Sequence, residues 1–329
     1  MQQSLERTER ALLQRVVQQL PKLGTVRLVK IVPSVALGLY VANAAAHTDA
    51  PAAEAAFRWT FEPWVVACLA LAAALYGAGA LKLWRRAGIG RGLRLGQAAA
   101  FAGGWLTLCA ALVSPLDGLG ASLFSAHMLQ HELLMIVAPP LFVLARPLET
   151  WTWGLPATWR SGAGQVAHWT PLANAWGALT IPLVAWAVHA AALWLWHAPP
   201  LFDAALSGPA LHALQHASFL GSALLFWWAV LGRARHHGLA IGLVFTTMVH
   251  TGVLGALLTF SPAPWYRGYA ETAAFGLSVL EDQQLGGLVM WVPGGFAYLA
   301  AGLTLAFRYF FSATARDFAP TPAISGSLE

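Results

Sequence analysis

The residues able to do chemistry in this sequence are histidines. Eleven occur among 329 residues, beside only two cysteines. His127 and His131 are four apart, as are His212 and His216, so on a helix each pair shares one face. Met135 continues the first stripe by one more turn. Imidazole ligates zinc, copper, iron and nickel, while a thioether tilts the choice toward Cu(I). Haem held by two histidines on facing helices is the alternative. Cys68 and Cys109 form neither a CxxC pair nor a zinc spacing, so neither a disulfide framework nor a thiolate site is expected.

The elements that must position these side chains are membrane helices. Hydrophobic residues make up 58% of the chain and charged residues 10%, against the roughly 25% charged of a soluble domain. Mean hydropathy is +0.59, and the 16 tryptophans suit a membrane interface. Seven apolar segments, near 62–84, 92–114, 121–145, 176–197, 209–232, 239–260 and 284–311, each approach the ~20 residues that cross a bilayer core. Pro139-Pro140, Pro182 and Pro293-Gly294-Gly295 interrupt three of them, which helix bundles tolerate when neighbours satisfy the freed backbone groups. Before them, a basic stretch leads into Ile31–Ala46, whose small-residue end has a signal-like pattern. The expected fold is an all-α membrane protein, a bundle of seven transmembrane helices plus an N-terminal signal-like or anchor segment. Its parts are a basic N-terminus and signal-like segment (1–46), a periplasmic lead-in (47–61), a transmembrane domain (62–311) and a cytoplasmic tail (312–329).

Charge sets the orientation. Lys82, Arg85, Arg86, Arg91, Arg94, Arg146, Arg160, Arg233, Arg235, Arg308 and Arg316 fall in one set of loops, Arg58 and Arg267 in the other. The positive-inside rule makes the first set cytoplasmic and places the C-terminus inside. The net charge of +5 therefore reads as membrane orientation, not as nucleic-acid binding. The opposite loops carry acids, among them Glu62, Asp117, Asp203, Glu281 and Asp282.

Depth then sharpens the histidine pattern. At a rise of 1.5 Å per residue, His131, His189, His216 and His250 fall roughly 10–15 Å below the outer boundary, and His127 and His212 roughly 5–9 Å below it. Ionisable groups so deep mark functional sites. His127, His131, His212 and His216, supplemented by His250, are the expected metal ligands. A His-rich, Cys-poor set on an oxidising face favours copper. Stacked haems need pairs at both depths, and the inner half offers none. The blander alternative makes these imidazoles helix-to-helix hydrogen-bond partners. His197 ends the fourth segment at the outer surface, whereas His168, His236 and His237 are expected in solvated loops. If cleavage follows Ala46, His47 becomes an N-terminus able to chelate copper.

No catalytic constellation emerges, and the chain is expected not to be an enzyme. Glu132 follows His131, but the zincin motif requires a histidine where Met135 stands. Glu132 points about 100° away from His131, toward a bundle donor or a proton relay. Asp282 reads first as an N-terminal cap, with ligand or ligand-orienting acceptor as the alternatives.

Three ordered blocks carry a resemblance. Ser114-Pro115-Leu116-Asp117 with His127-Met128-Leu129-Gln130-His131 and Ala138-Pro139-Pro140 is the first. His197-Ala198-Pro199-Pro200-Leu201-Phe202-Asp203 with Leu211-His212-Ala213-Leu214-Gln215-His216 is the second. Asp282-Gln283-Gln284-Leu285-Gly286-Gly287 with Met290-Trp291-Val292-Pro293-Gly294-Gly295 is the third. Together they resemble the CtaG family of bacterial cytochrome c oxidase assembly factors. The resemblance implies a seven-helix protein of the bacterial inner membrane that helps mature a copper-containing terminal oxidase, with oxidase subunits and the lipid bilayer as partners. Copper binding itself rests on the histidine geometry. The resulting expectation is a factor that holds copper near the periplasmic face and presents it to a nascent oxidase subunit. The alternatives are a haem-binding redox or haem-transfer protein and a metal-free assembly scaffold.

Overall fold

The computed structural model describes residues 56–232, 237–269 and 272–317. The signal-like segment, His47 and residues 318–329 of the expected tail lie outside them. The described residues form helices and loops without a strand. In chain order the helices are α1 (Pro63–Ala87), α2 (Leu95–Leu112), α3 (Pro115–Ser122), α4 (Phe124–Glu132), α5 (Ala138–Ala145), α6 (Pro147–Gly154), α7 (Ala157–His168), α8 (Thr170–Leu179), α9 (Pro182–Trp196), α10 (Pro199–Ser207), α11 (Pro209–Trp227), α12 (His237–Thr259) and α13 (Val279–Asp317). Wide π-helical turns join α4 to α5 (Leu133–Val137) and extend α11 (Trp228–Gly232).

Six stretches are long and apolar enough to cross a membrane: α1, α2, α4 through α5, α11 with its final turn, α12 and α13. Taken as one span, α8 and α9 make a seventh, bent by 75°. This is an all-α membrane protein, and its outward face fits lipid: Leu71, Phe260, Phe296 and Leu303 are all exposed. Cys68 and Cys109 are free. The apolar run of α13 continues helically to Asp317, into the segment expected as tail.

Proline explains the departures from straight helices. The segment near 176–197 is broken because Pro182 disfavours the helical conformation at Ile181, which is extended at φ −61° and ψ 126°. Thr180 closes α8 by donating its hydroxyl to the Trp176 carbonyl at 2.7 Å. In the third span, Pro139 and Pro140 have no N–H for the carbonyls four residues earlier. The chain widens there, and the freed Met135 carbonyl accepts a bond from the Trp227 indole at 2.9 Å. A defect in one helix thereby becomes a tie to α11.

Without water to drive association, membrane helices gain contact by letting backbones approach over small residues. Gly255 on α12 and Gly287 on α13 do this. A Cβ on Gly255 would lie 2.8 Å from the Gly287 carbonyl oxygen, and one on Gly287 would lie 2.7 Å from that of Gly255. At the opposite side α6 lies against α1, where Trp151 donates to the Ala72 carbonyl at 2.9 Å. Lys82, expected in a loop, is in α1 and donates to the Gly154 carbonyl at 2.8 Å, a cation at the negative end of α6.

The α4–α5 span is the central one: 67% of its apolar stretch is buried, against 22% for α1. Its neighbours are α2, α3, α11 and α13. Substituting Gly255→Val is expected to cost about 1–3 kcal/mol through overpacking of α12 on α13. Thermal unfolding in detergent should show a lowered midpoint, and an unchanged one would contradict this helix contact.

Candidate metal centre

The site begins with how α4 starts. Its first amides have no partner within the helix, and no local side chain caps them. Asp282 of α13 reaches across instead, accepting from the Phe124 amide at 2.6 Å, the Ser125 amide at 3.1 Å and the Ser125 hydroxyl at 2.5 Å. The expected cap is therefore real but serves a different helix. The N-terminus of α13 has its own cap in Ser278, whose amide and hydroxyl donate to Glu281 while the Glu281 amide donates back to Ser278 Oγ. A carboxylate at a helix N-terminus is also favoured by the helix dipole.

One turn onward α4 presents His127, and another turn on, His131. α11 presents His212 and His216. Both helices spell His-x-Leu-Gln-His, and the structure brings the four rings together. Ring centroids lie 4.3 Å apart for His127 and His131, 4.2 Å for His212 and His216, 5.2 Å for His127 and His212, and 5.4 Å for His131 and His216. One ring nitrogen from each of His127, His131 and His216 lies within 4.8 Å of the other two. His197, just past the end of α9, was not among the expected ligands, yet its ring stands 5.7 Å from that of His131. The signal that points to it is its own block, since His197-Ala198-Pro199 turns the chain at the level of the cluster. His250 is not brought to the group. It lies on α12 with its ring 6.0 Å from Trp186.

Hydrogen bonds say which nitrogens are available. The carbonyl oxygen of Gly120 lies 3.3 Å from His127 Nδ1, and the Tyr269 hydroxyl lies 3.0 Å from the same nitrogen. A carbonyl can only accept, so Nδ1 carries the proton and Nε2 keeps its lone pair. His197 follows the same logic, with Nδ1 2.7 Å from the Leu193 carbonyl. The Nε2 atoms of His127, His131, His197, His212 and His216 are buried and meet no hydrogen-bond partner among the described residues. Buried polar atoms are normally paired. The unpaired nitrogens of His127, His131 and His216, close enough together to share one ion, suit a cation, and His127 and His197 are oriented as metal-ligating histidines commonly are, by a hydrogen bond at the other ring nitrogen.

The surrounding polar groups position the cluster. Gln130 donates to the Ala111 carbonyl and to Asp117, each at 2.7 Å, tying α4 to α2 and α3. Gly120 leaves room for it: a Cβ there would come within 2.6 Å of the Gln130 side-chain oxygen. Glu132 faces away from the histidines, with Oε2 2.7 Å from where a Cβ on Gly294 would stand. No donor reaches that oxygen among the described residues. Met135 is buried in the apolar core. His168 is exposed at the end of α7.

Two features govern access. Over the cluster lies an aromatic layer: Phe124 is 4.9 Å from Tyr266, and Phe202 is 4.1 Å from Tyr266 and 5.2 Å from His127. Tyr266 donates to the His197 carbonyl at 2.9 Å. Burial raises the pKa of both Tyr266 and Tyr269, and Asp203 and Asp282 respectively add to the effect, so both phenols stay protonated. To the side, a cavity of about 750 Å³ runs between α1, α2 and α11. His212 and His216 line its wall, and Glu62 and Asp117 add acids to an otherwise mostly apolar lining. The site is thus roofed by aromatic rings and flanked by a cavity whose wall includes His212 and His216.

The sequence profile of the cytochrome c oxidase caa3 assembly factor family matches residues 74–311. An uncharacterized protein of Mycobacterium bovis and another of Mycobacterium tuberculosis are each 31% identical over 250 residues, covering 71% of this chain and 36% of theirs. An uncharacterized protein of Mycobacterium leprae is 28% identical over 204 residues, 57% of this chain and 30% of its own. The chain thus spans about a third of the length of these relatives. No solved structure matches it.

Asp282→Ala leaves two amides at the start of α4 without their acceptor. A loss of about 1–2 kcal/mol in stability is expected, read as a lower unfolding midpoint in detergent, with Asp282→Asn retaining part of it.

Proposed function

Since the chain belongs to the cytochrome c oxidase caa3 assembly factor family, we propose that it carries copper at the histidine cluster and presents it to a nascent oxidase subunit. The observation that supports this most is the group of ring nitrogens from His127, His131 and His216, mutually within 4.8 Å, buried and with unpartnered Nε2 atoms. His127, His131 and His216 form the core of the site, with His212 and His197 at its edges. The cargo is held by exchange among several neutral nitrogen donors, without a thiolate that would bind more tightly. The ring nearest the side cavity, His212, suits handover, because it alone of the five is only half-buried. The role proposed for the cluster is binding and release, without a chemical step.

The distribution of Lys and Arg supports a setting in the bacterial inner membrane with the cluster toward the periplasm and the C-terminus in the cytoplasm. Copper would then be taken up and passed on at the level of the outer leaflet, among oxidase subunits still being assembled.

A second reading, a haem-binding protein, draws on the side cavity beside His212 and His216, whose size is within the range of cofactor sites. Against it, the histidine rings contact one another, leaving no slot between them for a flat macrocycle. A Soret band in the purified protein would favour haem, and its absence in folded protein favours copper.

The cluster is expected to hold about one copper ion, and His131→Ala or His216→Ala should each remove it and lower assembly of active oxidase about tenfold or more. Metal analysis of purified, folded variants checks the first point, and oxidase activity in complemented deletion cells the second. Undiminished copper in both variants would overturn the site. Tyr269→Phe removes only the hydroxyl beside His127 Nδ1 and should weaken copper affinity about 10–100-fold, measured by competition with a chromophoric chelator.

A further inference from the structure

Far from the histidines, three cations are gathered on one turn. Lys82 of α1 follows Glu62, which shares a cavity wall with His212, by roughly 20 residues, about 30 Å at helical rise. Its ammonium donates to the carbonyls of Gly154 and Leu155 at 2.8 and 3.2 Å, where α6 ends. Arg160 of α7 donates its Nε to the same Leu155 carbonyl at 3.2 Å, and a terminal nitrogen to the Trp153 carbonyl at 3.0 Å. An ammonium and a guanidinium that share one oxygen stand within two hydrogen-bond lengths of each other. Arg160 also lies over the Trp153 ring, 4.7 Å from its centroid, and Arg86 of α1 lies 5.2 Å from the same centroid. Among the described residues, the side-chain bonds of Lys82 and Arg160 end on carbonyl oxygens, none on a carboxylate. Glu149, the acid of α6, sits in the first turn of that helix, at its other end. Carbonyl dipoles orient the cations but do not neutralise them, and like charges so close repel. Both Lys82 and Arg160 keep N–H donors to spare.

We propose that Lys82, Arg160 and Arg86 form a binding site for the phosphate of an anionic membrane lipid. A phosphodiester offers a fixed negative charge and two free oxygens, which N–H donors of two neighbouring cations can engage together. Basic pockets between helices at the membrane surface recognise headgroups in this way. Trp153 suits that level, because indole rings favour the interface and this one faces two guanidiniums. The apolar part of a lipid has a place as well. Leu148 and Trp151 of α6 line the large apolar cavity, and Leu155 follows Trp151 by about one helical turn. An acyl chain attached to a phosphate on this turn can lie in that cavity, whereas free phosphate would meet the cations alone. The inference is independent of the metal carried by the histidines.

The test is native mass spectrometry of the full-length protein in detergent, titrated with phosphatidylglycerol or with phosphatidylcholine, whose own ammonium offsets its phosphate. One phosphatidylglycerol should be retained in preference to phosphatidylcholine. Losing a cation beside an anionic headgroup weakens binding about fivefold, so Lys82→Gln/Arg160→Gln should weaken phosphatidylglycerol binding about 25-fold. Arg86→Gln removes a charge and none of the carbonyl bonds, so it serves even where the double variant fails to fold, and about fivefold weakening is expected. Equal retention of the two lipids would overturn the site. So would phosphatidylglycerol binding left unchanged by Arg86→Gln and by the folded double variant. A calorimetric titration with inorganic phosphate separates the two sources of the anion. Weaker binding than that of the lipid is expected, and phosphate bound as tightly would overturn the lipid and leave a free-phosphate site.

Discussion

Asp282 organises the interior from a distance. Helix α4 enters an environment with no water to satisfy its first amides, and a carboxylate from the start of α13 supplies the acceptors. That one contact fixes the register of α4 against α13 and so the height at which His127 and His131 stand. Gln130 then fixes rotation by binding α2 and α3, and the Trp227 indole, on the carbonyl released by Pro139, fixes the distance to α11. Three polar ties at three levels hold a helix whose other contacts are largely non-directional.

The same ties explain why the cluster can remain poorly paired inside a well-paired protein. Buried polar atoms without partners are destabilising, and five imidazole nitrogens at one place are a large departure from the usual pattern. They persist because the helices bearing them are positioned by other groups. The histidines contribute little to folding and are left available for a ligand.

Much of this was legible in the sequence. Composition and apolar run length gave the membrane fold, and the i,i+4 spacing put His127 with His131 and His212 with His216 on single faces. Depth alone also grouped His250 with them, but two residues can share a level and still have rings turned to different neighbours, here Trp186 for His250. His197 was passed over because a residue at a segment's end reads as solvent-facing until α10 and the Tyr266 loop fold over it. Asp282 was recognisable as a cap, but which helix it serves is a long-range fact that spacing does not encode. The break at Pro182 was visible as a proline, and its size became evident only from the structure.

That break has a consequence for the lipid. α9 has 15 residues, about 22 Å of helix, against a hydrocarbon core of about 30 Å. α8, turned by 75°, adds little length along the axis of α9. On this flank the apolar thickness falls short, and a bilayer adjusts to such a mismatch by thinning locally. A neighbouring protein whose own hydrophobic belt is short would be drawn to that dimple, because sharing the deformation relieves it for both.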